Sequence, residues 1–216
     1  PDPVERAKRV TRAFDDFDFF VGTYFPHYIR SPHKSELHRY LFARLPEIVA
    51  SEKSETDAIA APRGEAKSTL VSQLFVLWCI VTGRKRYPVI VMDSIDQAYP
   101  MLEAIKAELE FNPRLAMDFP EACGQGRVWQ AGTIVTRGDV KVQVAGSGKK
   151  LRGLRHGQAR GGAQVFRGVA EVRGGAELEL ALHVGAHAAA EVARVGRRGS
   201  ATHAGRSSAG AARRRA

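Results

Sequence analysis

Nine consecutive residues, Ala61-Pro62-Arg63-Gly64-Glu65-Ala66-Lys67-Ser68-Thr69, place a glycine, a lysine and two hydroxyls between an apolar stretch and a helical one. That order suits the binding of a polyphosphate. Successive backbone N–H groups of a turn and of the helix behind it can point at anionic oxygens. Lys67 would reach the β- and γ-phosphates and the Ser68 hydroxyl would hold Mg²⁺, with Thr69 one step further into the helix. The run departs from G-x-x-x-x-G-K-[ST], because Ala61 and Ala66 stand where that pattern has glycine. The nine residues alone serve equally well as a capped strand-to-helix turn with an exposed lysine. Their flanks favour the phosphate site, since each local feature points to the same answer.

Those flanks follow from periodicity. A short apolar run, Ala58-Ile59-Ala60, precedes the turn, and a helix is expected from Lys67 to Val81, closed by Gly83. Residues 88–92 form a continuous apolar strand that ends at Asp93-Ser94, where a second helix over 95–111 can be capped; that helix stops at Asn112-Pro113. Strand, helix, strand, helix implies a parallel sheet with right-handed crossovers. Short strands at Val128-Trp129 and Thr133-Ile134-Val135 come next, then an Arg137-Gly138-Asp139 turn and an alternating strand over 140–144, the last two a hairpin. Helical spacing also marks residues 4–20 and 35–49, the latter with Leu37, Tyr40, Leu41, Leu45 and Ile48 on one face. Between them, the aromatic-rich stretch 20–28 is expected to be a turn that plugs the core.

The chain has 216 residues, 44% of them hydrophobic, enough for one α/β domain with a sizeable core. Its net charge of +10 points toward nucleic acid only superficially, because the excess is concentrated at the end. Residues 158–216 carry ten Arg, four Glu and no Lys or Asp, and 36 of the 59 are Ala, Gly or Arg. Such a bias leaves few large apolar residues to bury, so this tail is expected to be disordered or poorly packed, with weak helix at best over 178–184 and 186–195. One explanation is an out-of-frame translation of a GC-rich gene, whose codons yield Ala, Gly, Arg and Val. The expected organisation is a helical lead-in over 1–50, a partial P-loop domain over 51–157 and the tail over 158–216. Cys79 and Cys123 have no zinc or disulfide spacing, which fits a reducing cytoplasm. Residues 1–18 hold no apolar signal segment, and the run 70–81 is too short to span a bilayer.

Ala-Pro-Arg-Gly-x-Ala-Lys-Ser-Thr, with Ala at both glycine positions and Arg inside the loop, resembles the deviant Walker A motif of phage terminase large subunits. The resemblance extends to Phe25-Pro26-His27-Tyr28, to the strand over 89–93, and to the basic Gly-rich segment 146–157 with its Lys150-Leu151-Arg152-Gly153-Leu154-Arg155-His156-Gly157 run. It spans residues 18–157. It implies a P-loop NTPase-type parallel sheet with flanking helices, preceded by a helical segment, and ATP and Mg²⁺ as cofactors. By the same resemblance Lys67 and Ser68 are the phosphate and Mg²⁺ ligands and Arg63 senses the γ-phosphate, while Gly64, Glu65, Ala66 and Thr69 complete the loop. The implied partners are double-stranded viral DNA, the terminase small subunit and the portal protein, with a homo-oligomeric ring as the assembly in the host cytoplasm and no membrane. For Lys149, Lys150, Arg152 and Arg155 the choice lies between contact with DNA or nucleotide phosphates and a solvated basic loop.

In that family an acidic strand, carrying an Mg²⁺-holding Asp and a water-activating Glu, follows soon after the position of Gly157. Here no Asp follows Asp139, and Glu171, Glu177, Glu179 and Glu191 follow no apolar strand-like run. The core is therefore expected to be incomplete and hydrolysis slow, with no nuclease residues present. Two other readings stay open: another P-loop motor on nucleic acid, such as a helicase, or a non-catalytic nucleic-acid-binding fragment with Arg213-Arg214-Arg215 as an electrostatic tail.

Overall fold

The computed structural model describes residues 2–29, 31–51, 55–62, 64–146, 164–167 and 178–184. Helix α1 (Pro3–Asp15) starts with proline at its first position and Asp2 as its cap, the Asp2 carboxylate accepting from Val4 N–H at 2.9 Å. Residues 4–20 are not one helix as their spacing suggests. Asp16 leaves helical geometry at φ −119° and its carboxylate accepts from Phe19 N–H at 2.8 Å, which starts α2 (Phe17–Tyr24) in a new direction. Aspartate competes with the helix for backbone donors, and here it wins.

The aromatic stretch is consequently half helix, with only Pro26–Tyr28 forming a 3₁₀ turn. The plugging of the core falls to its first half: Phe20, Val21, Tyr24 and Phe25 are buried, whereas Pro26 and His27 are exposed. Helix α3 (Glu36–Ala50), capped by Ser35, buries Leu41, Leu45 and Ile48, whereas Tyr40 remains 49% exposed and lies off the buried face.

Strand β1 (Glu55–Ala61) leads into the turn and then a helix that opens at Lys67. This helix departs from ordinary α geometry between Thr69 and Leu74, which are π-helical, before continuing as α4 (Phe75–Thr82). Every residue from Leu70 to Val81 is buried, so the helix is enclosed on all sides. Gly83 closes it at φ +65°, the left-handed cap that glycine adopts without Cβ strain.

Strand β2 (Pro88–Met92) and helix α5 (Ile95–Phe111) occupy the expected positions, with Ser94 Oγ accepting from Gln97 N–H at 3.3 Å. A short α6 (Pro113–Asp118) follows, capped by Asn112, whose Oδ1 accepts from the Arg114 and Leu115 amides. Strands β3 (Val128–Trp129), β4 (Thr133–Val135) and β5 (Lys141–Gly146) form an antiparallel meander, including the expected hairpin, whose turn holds Asp139 at φ +57°.

Two segments of the compositional tail are strands, β6 (Gln164–Arg167) and β7 (Leu178–Val184). The period-two order Leu178-Glu179-Leu180-Ala181-Leu182-His183-Val184 favours strand over the weak helix that alanine content suggests. Residues 186–195 lie outside the described residues.

The fold is mixed α/β and its sheet mixes parallel and antiparallel pairs, with strand order β1-β7-β6-β2-β5-β4-β3. This corrects the expectation of a parallel sheet. Strand β7 runs antiparallel to both β1 and β6, and β4 antiparallel to β5, whereas β6, β2 and β5 are mutually parallel. The crossover from β1 to β2 therefore skips two strand positions. Because β1 runs in the same sense as β6, β2 and β5, the carboxyl ends of all four face one edge, where the turn after β1 emerges.

The helical lead-in is fastened to the rest by a buried carboxylate. Arg9 Nε and Nη2 donate to Asp118 Oδ2 and Oδ1 at 2.6 and 2.8 Å, and Tyr24 Oη donates to Oδ2 at 2.8 Å. Burial alone would push the Asp118 carboxyl up. The bonds from Arg9 and Tyr24 and the charges of Arg9 and Arg6 outweigh it and hold the group below its ordinary value. Cys79 and Cys123 are free and buried, with thiols pushed up by burial to about 12 and about 11. Among the described residues no helix is long and apolar enough to cross a membrane.

Candidate functional site

The turn between β1 and the following helix is built from two left-handed residues. Gly64 sits at φ +91° and Ala66 at φ +51°. For glycine this conformation carries no steric cost, whereas an alanine there bears about 1–2 kcal/mol of strain that its surroundings must offset. Those two reversals bend the chain from strand into helix within five residues. The first backbone bond of the helix runs from Leu70 N–H to Ala66 O at 2.9 Å. The amides of Lys67, Ser68 and Thr69 accordingly lie in the first turn, ahead of the i to i−4 pattern, where helices present N–H groups to anions.

Lys67 is 6% exposed, so it is not the exposed lysine of a mere capped turn. Its ammonium folds back across the loop and donates to the carbonyl oxygens of Ala61 and of Pro62, the latter at 2.8 Å. Burial lowers the lysine from its ordinary value, while the nearby Glu65 charge pulls it the other way. The cation is thus held against the end of β1 by two carbonyl dipoles. Ser68 is exposed at the helix start in right-handed geometry (φ −63°, ψ −39°), and Thr69 opens the π-helical segment.

Gly64, Glu65 and Ala66 thus form the described part of the turn, and Lys67, Ser68 and Thr69 open the helix behind it. Arg63, the γ-phosphate sensor by resemblance, lies outside the described residues, as do Lys149, Lys150, Arg152 and Arg155. Among the described residues no group of three or more His, Cys, Asp or Glu is arranged to hold a metal ion. A divalent ion at this turn would draw on the Ser68 hydroxyl together with the oxygens of its polyphosphate, and an exposed hydroxyl at the first helical turn fits that donor set.

Two polar groups beyond the motif hold the turn and the helix behind it in place. His38, from α3, places Nε2 at 3.0 Å from the Glu65 carbonyl oxygen. Gln73, buried in the π-helical segment, donates from Nε2 to the Tyr28 hydroxyl and so ties the helix to the aromatic lead-in. On the far side of that lead-in, His27 Nε2 lies 2.9 Å from Glu108 Oε1 on α5. No local pattern announces either bond, since His38 and Tyr28 are respectively 27 and 45 residues from the groups they bond.

Comparison with known protein families, with curated proteins and with solved structures found no match.

Proposed function

We propose that the turn over 61–69 binds the triphosphate of ATP and that the chain is the ATPase part of a terminase large subunit, a motor for moving viral DNA into a procapsid. One observation carries this reading: a strand passes through two left-handed residues into a helix, and the lysine at the helix start is folded over the turn rather than into solvent. The first-turn amides would bind β- and γ-phosphate oxygens. Lys67 would exchange its bonds to the Ala61 and Pro62 carbonyls for phosphate oxygens, and Ser68 would hold Mg²⁺, which screens the phosphate charge. Arg63 is assigned the γ-phosphate by resemblance alone. Double-stranded DNA, the small subunit and the portal are the proposed partners, and a ring of copies the proposed assembly.

Hydrolysis is proposed to be slow. No aspartate follows Asp139, the region where the resemblance calls for an acidic anchor for Mg²⁺. The reading is tested by equilibrium binding of a non-hydrolysable ATP analogue with Mg²⁺, followed by single-turnover hydrolysis of ATP. Tight binding with slow turnover supports it, and absence of binding removes it.

A further inference from the structure

From the helical lead-in, His38 reaches the turn and bonds its backbone at Glu65. Ser35, the cap of α3, accepts at Oγ from His38 N–H at 3.3 Å, and the same Oγ lies 3.3 Å from His38 Nδ1. An oxygen already accepting from the backbone has its own O–H left to give, and Nδ1 is the acceptor in range. With Nδ1 accepting, the imidazole proton sits on Nε2 and is donated to Glu65 O at 3.0 Å. The chain of bonds thus runs from Ser35 through His38 to the turn.

Its consequence follows from peptide geometry. The peptide bonds are trans, so the carbonyl of Glu65 and the N–H of Ala66 point in opposite directions across a single plane. Drawing the Glu65 oxygen toward α3 turns the Ala66 N–H to the other face of the turn, and it keeps Ala66 in its left-handed conformation. We propose that His38 is a positioning residue for the phosphate-binding turn: it fixes the Glu65–Ala66 peptide so that the Ala66 amide is pre-set to donate to an anionic phosphate oxygen. The role rests on the reading of 61–69 as a triphosphate site. It makes the helical lead-in, through α3, part of that site, and it places there a bond that substitutes for the conformational freedom of a glycine at position 66.

The experiment uses the full chain and three forms: wild type, His38→Ala, and His38→Gln, whose amide can donate over a similar reach. Two readouts are taken. In the absence of nucleotide, NMR couplings report φ at Ala66, and amide exchange reports the first helical bond at Leu70. With Mg²⁺ and a non-hydrolysable ATP analogue, Kd is measured. His38→Ala is expected to accelerate Leu70 exchange and to raise Kd by about three- to tenfold each, the worth of one ordinary hydrogen bond. His38→Gln is expected to restore both, which a purely space-filling histidine would not require. Unchanged exchange and unchanged φ in His38→Ala, or a His38→Gln variant as perturbed as the alanine form, overturns the proposal. Should His38→Ala fail to fold, the glutamine variant decides alone: wild-type φ and exchange support the role, and their loss overturns it. A wild-type chain that binds no analogue defeats the triphosphate reading, while the nucleotide-free measurements still decide what His38 does to the turn.

Discussion

Arg9 and Asp118 form a two-pronged ion pair, Nε to Oδ2 at 2.6 Å and Nη2 to Oδ1 at 2.8 Å, that joins the first helix of the lead-in to the last turn of α6. The Asp118 side chain has no exposed surface, so its ionised form depends on these partners and on Tyr24. Replacement by asparagine keeps the shape but removes the charge that Arg9 answers. Asp118→Asn is expected to cost about 1.5–3 kcal/mol, the range for hydrogen bonds to charged groups, measured by urea unfolding at neutral pH. A loss below about 0.5 kcal/mol, the scale of ordinary surface substitutions, contradicts the assignment.

The same carboxylate sets a pH dependence. Its pKa is lower in the folded than in the unfolded chain, where it takes its ordinary value near 3.8. Its stabilising contribution is fully present above that unfolded value and is lost as pH falls below it through the folded value. Unfolding midpoints measured from pH 5 downward should drop for wild type more steeply than for Asp118→Asn. Parallel curves for the two proteins contradict the linkage.

Two backbone positions in the turn predict different outcomes. Gly64 has open space around its missing Cβ but sits at φ +91°, so Gly64→Ala strains the backbone alone and should destabilise by about 1 kcal/mol. Ala66, at φ +51°, is the reverse case: Ala66→Gly relieves strain while loosening the unfolded chain, and the net change should lie within about 1 kcal/mol of zero. Thermal melts of both variants check the pair, and a strongly destabilised Ala66→Gly contradicts the left-handed geometry.

Gly146 ends β5 against the start of α5, where an added Cβ would come within 2.9 Å of the Ile95 nitrogen and 3.3 Å of the Ser94 carbonyl carbon. Both are backbone atoms that cannot swing aside. Gly146→Ala should therefore cost about 1–3 kcal/mol through forced displacement of the helix start. Wild-type stability in that variant would show that sheet and helix are further apart than described.

Local chemistry made much of this legible before any coordinates. Strand β2 and helix α5 are found where an apolar run and a Ser94 cap place them, and the turn over 61–66 does sit between strand and helix with Lys67 at its end. What local patterns could not carry is pairing across distance. Strand β7 lies beside β1 through a register that joins Glu55 to Val184, and no residue near either announces the other. The Asp118 clasp escaped notice for the same reason, since Arg9 and Asp118 are 109 residues apart. The π-helical stretch Thr69–Leu74 was hidden differently: with every position from Leu70 to Val81 buried, there was no polar face from which a change of pitch could be read. His38 had a legible half, because Ser35 is a recognisable helix cap, but its bond to Glu65 depends on how α3 docks against the turn.

The central claim is that Lys67 and the turn around it bind a triphosphate, and it is tested most directly by the affinity of wild type and of Lys67→Ala for a non-hydrolysable ATP analogue with Mg²⁺. The account predicts measurable binding by the wild type and a Kd about ten- to a hundredfold higher in the variant, the worth of a charge-assisted bond to phosphate. Equal affinity in the two proteins, or none in the wild type, would contradict it.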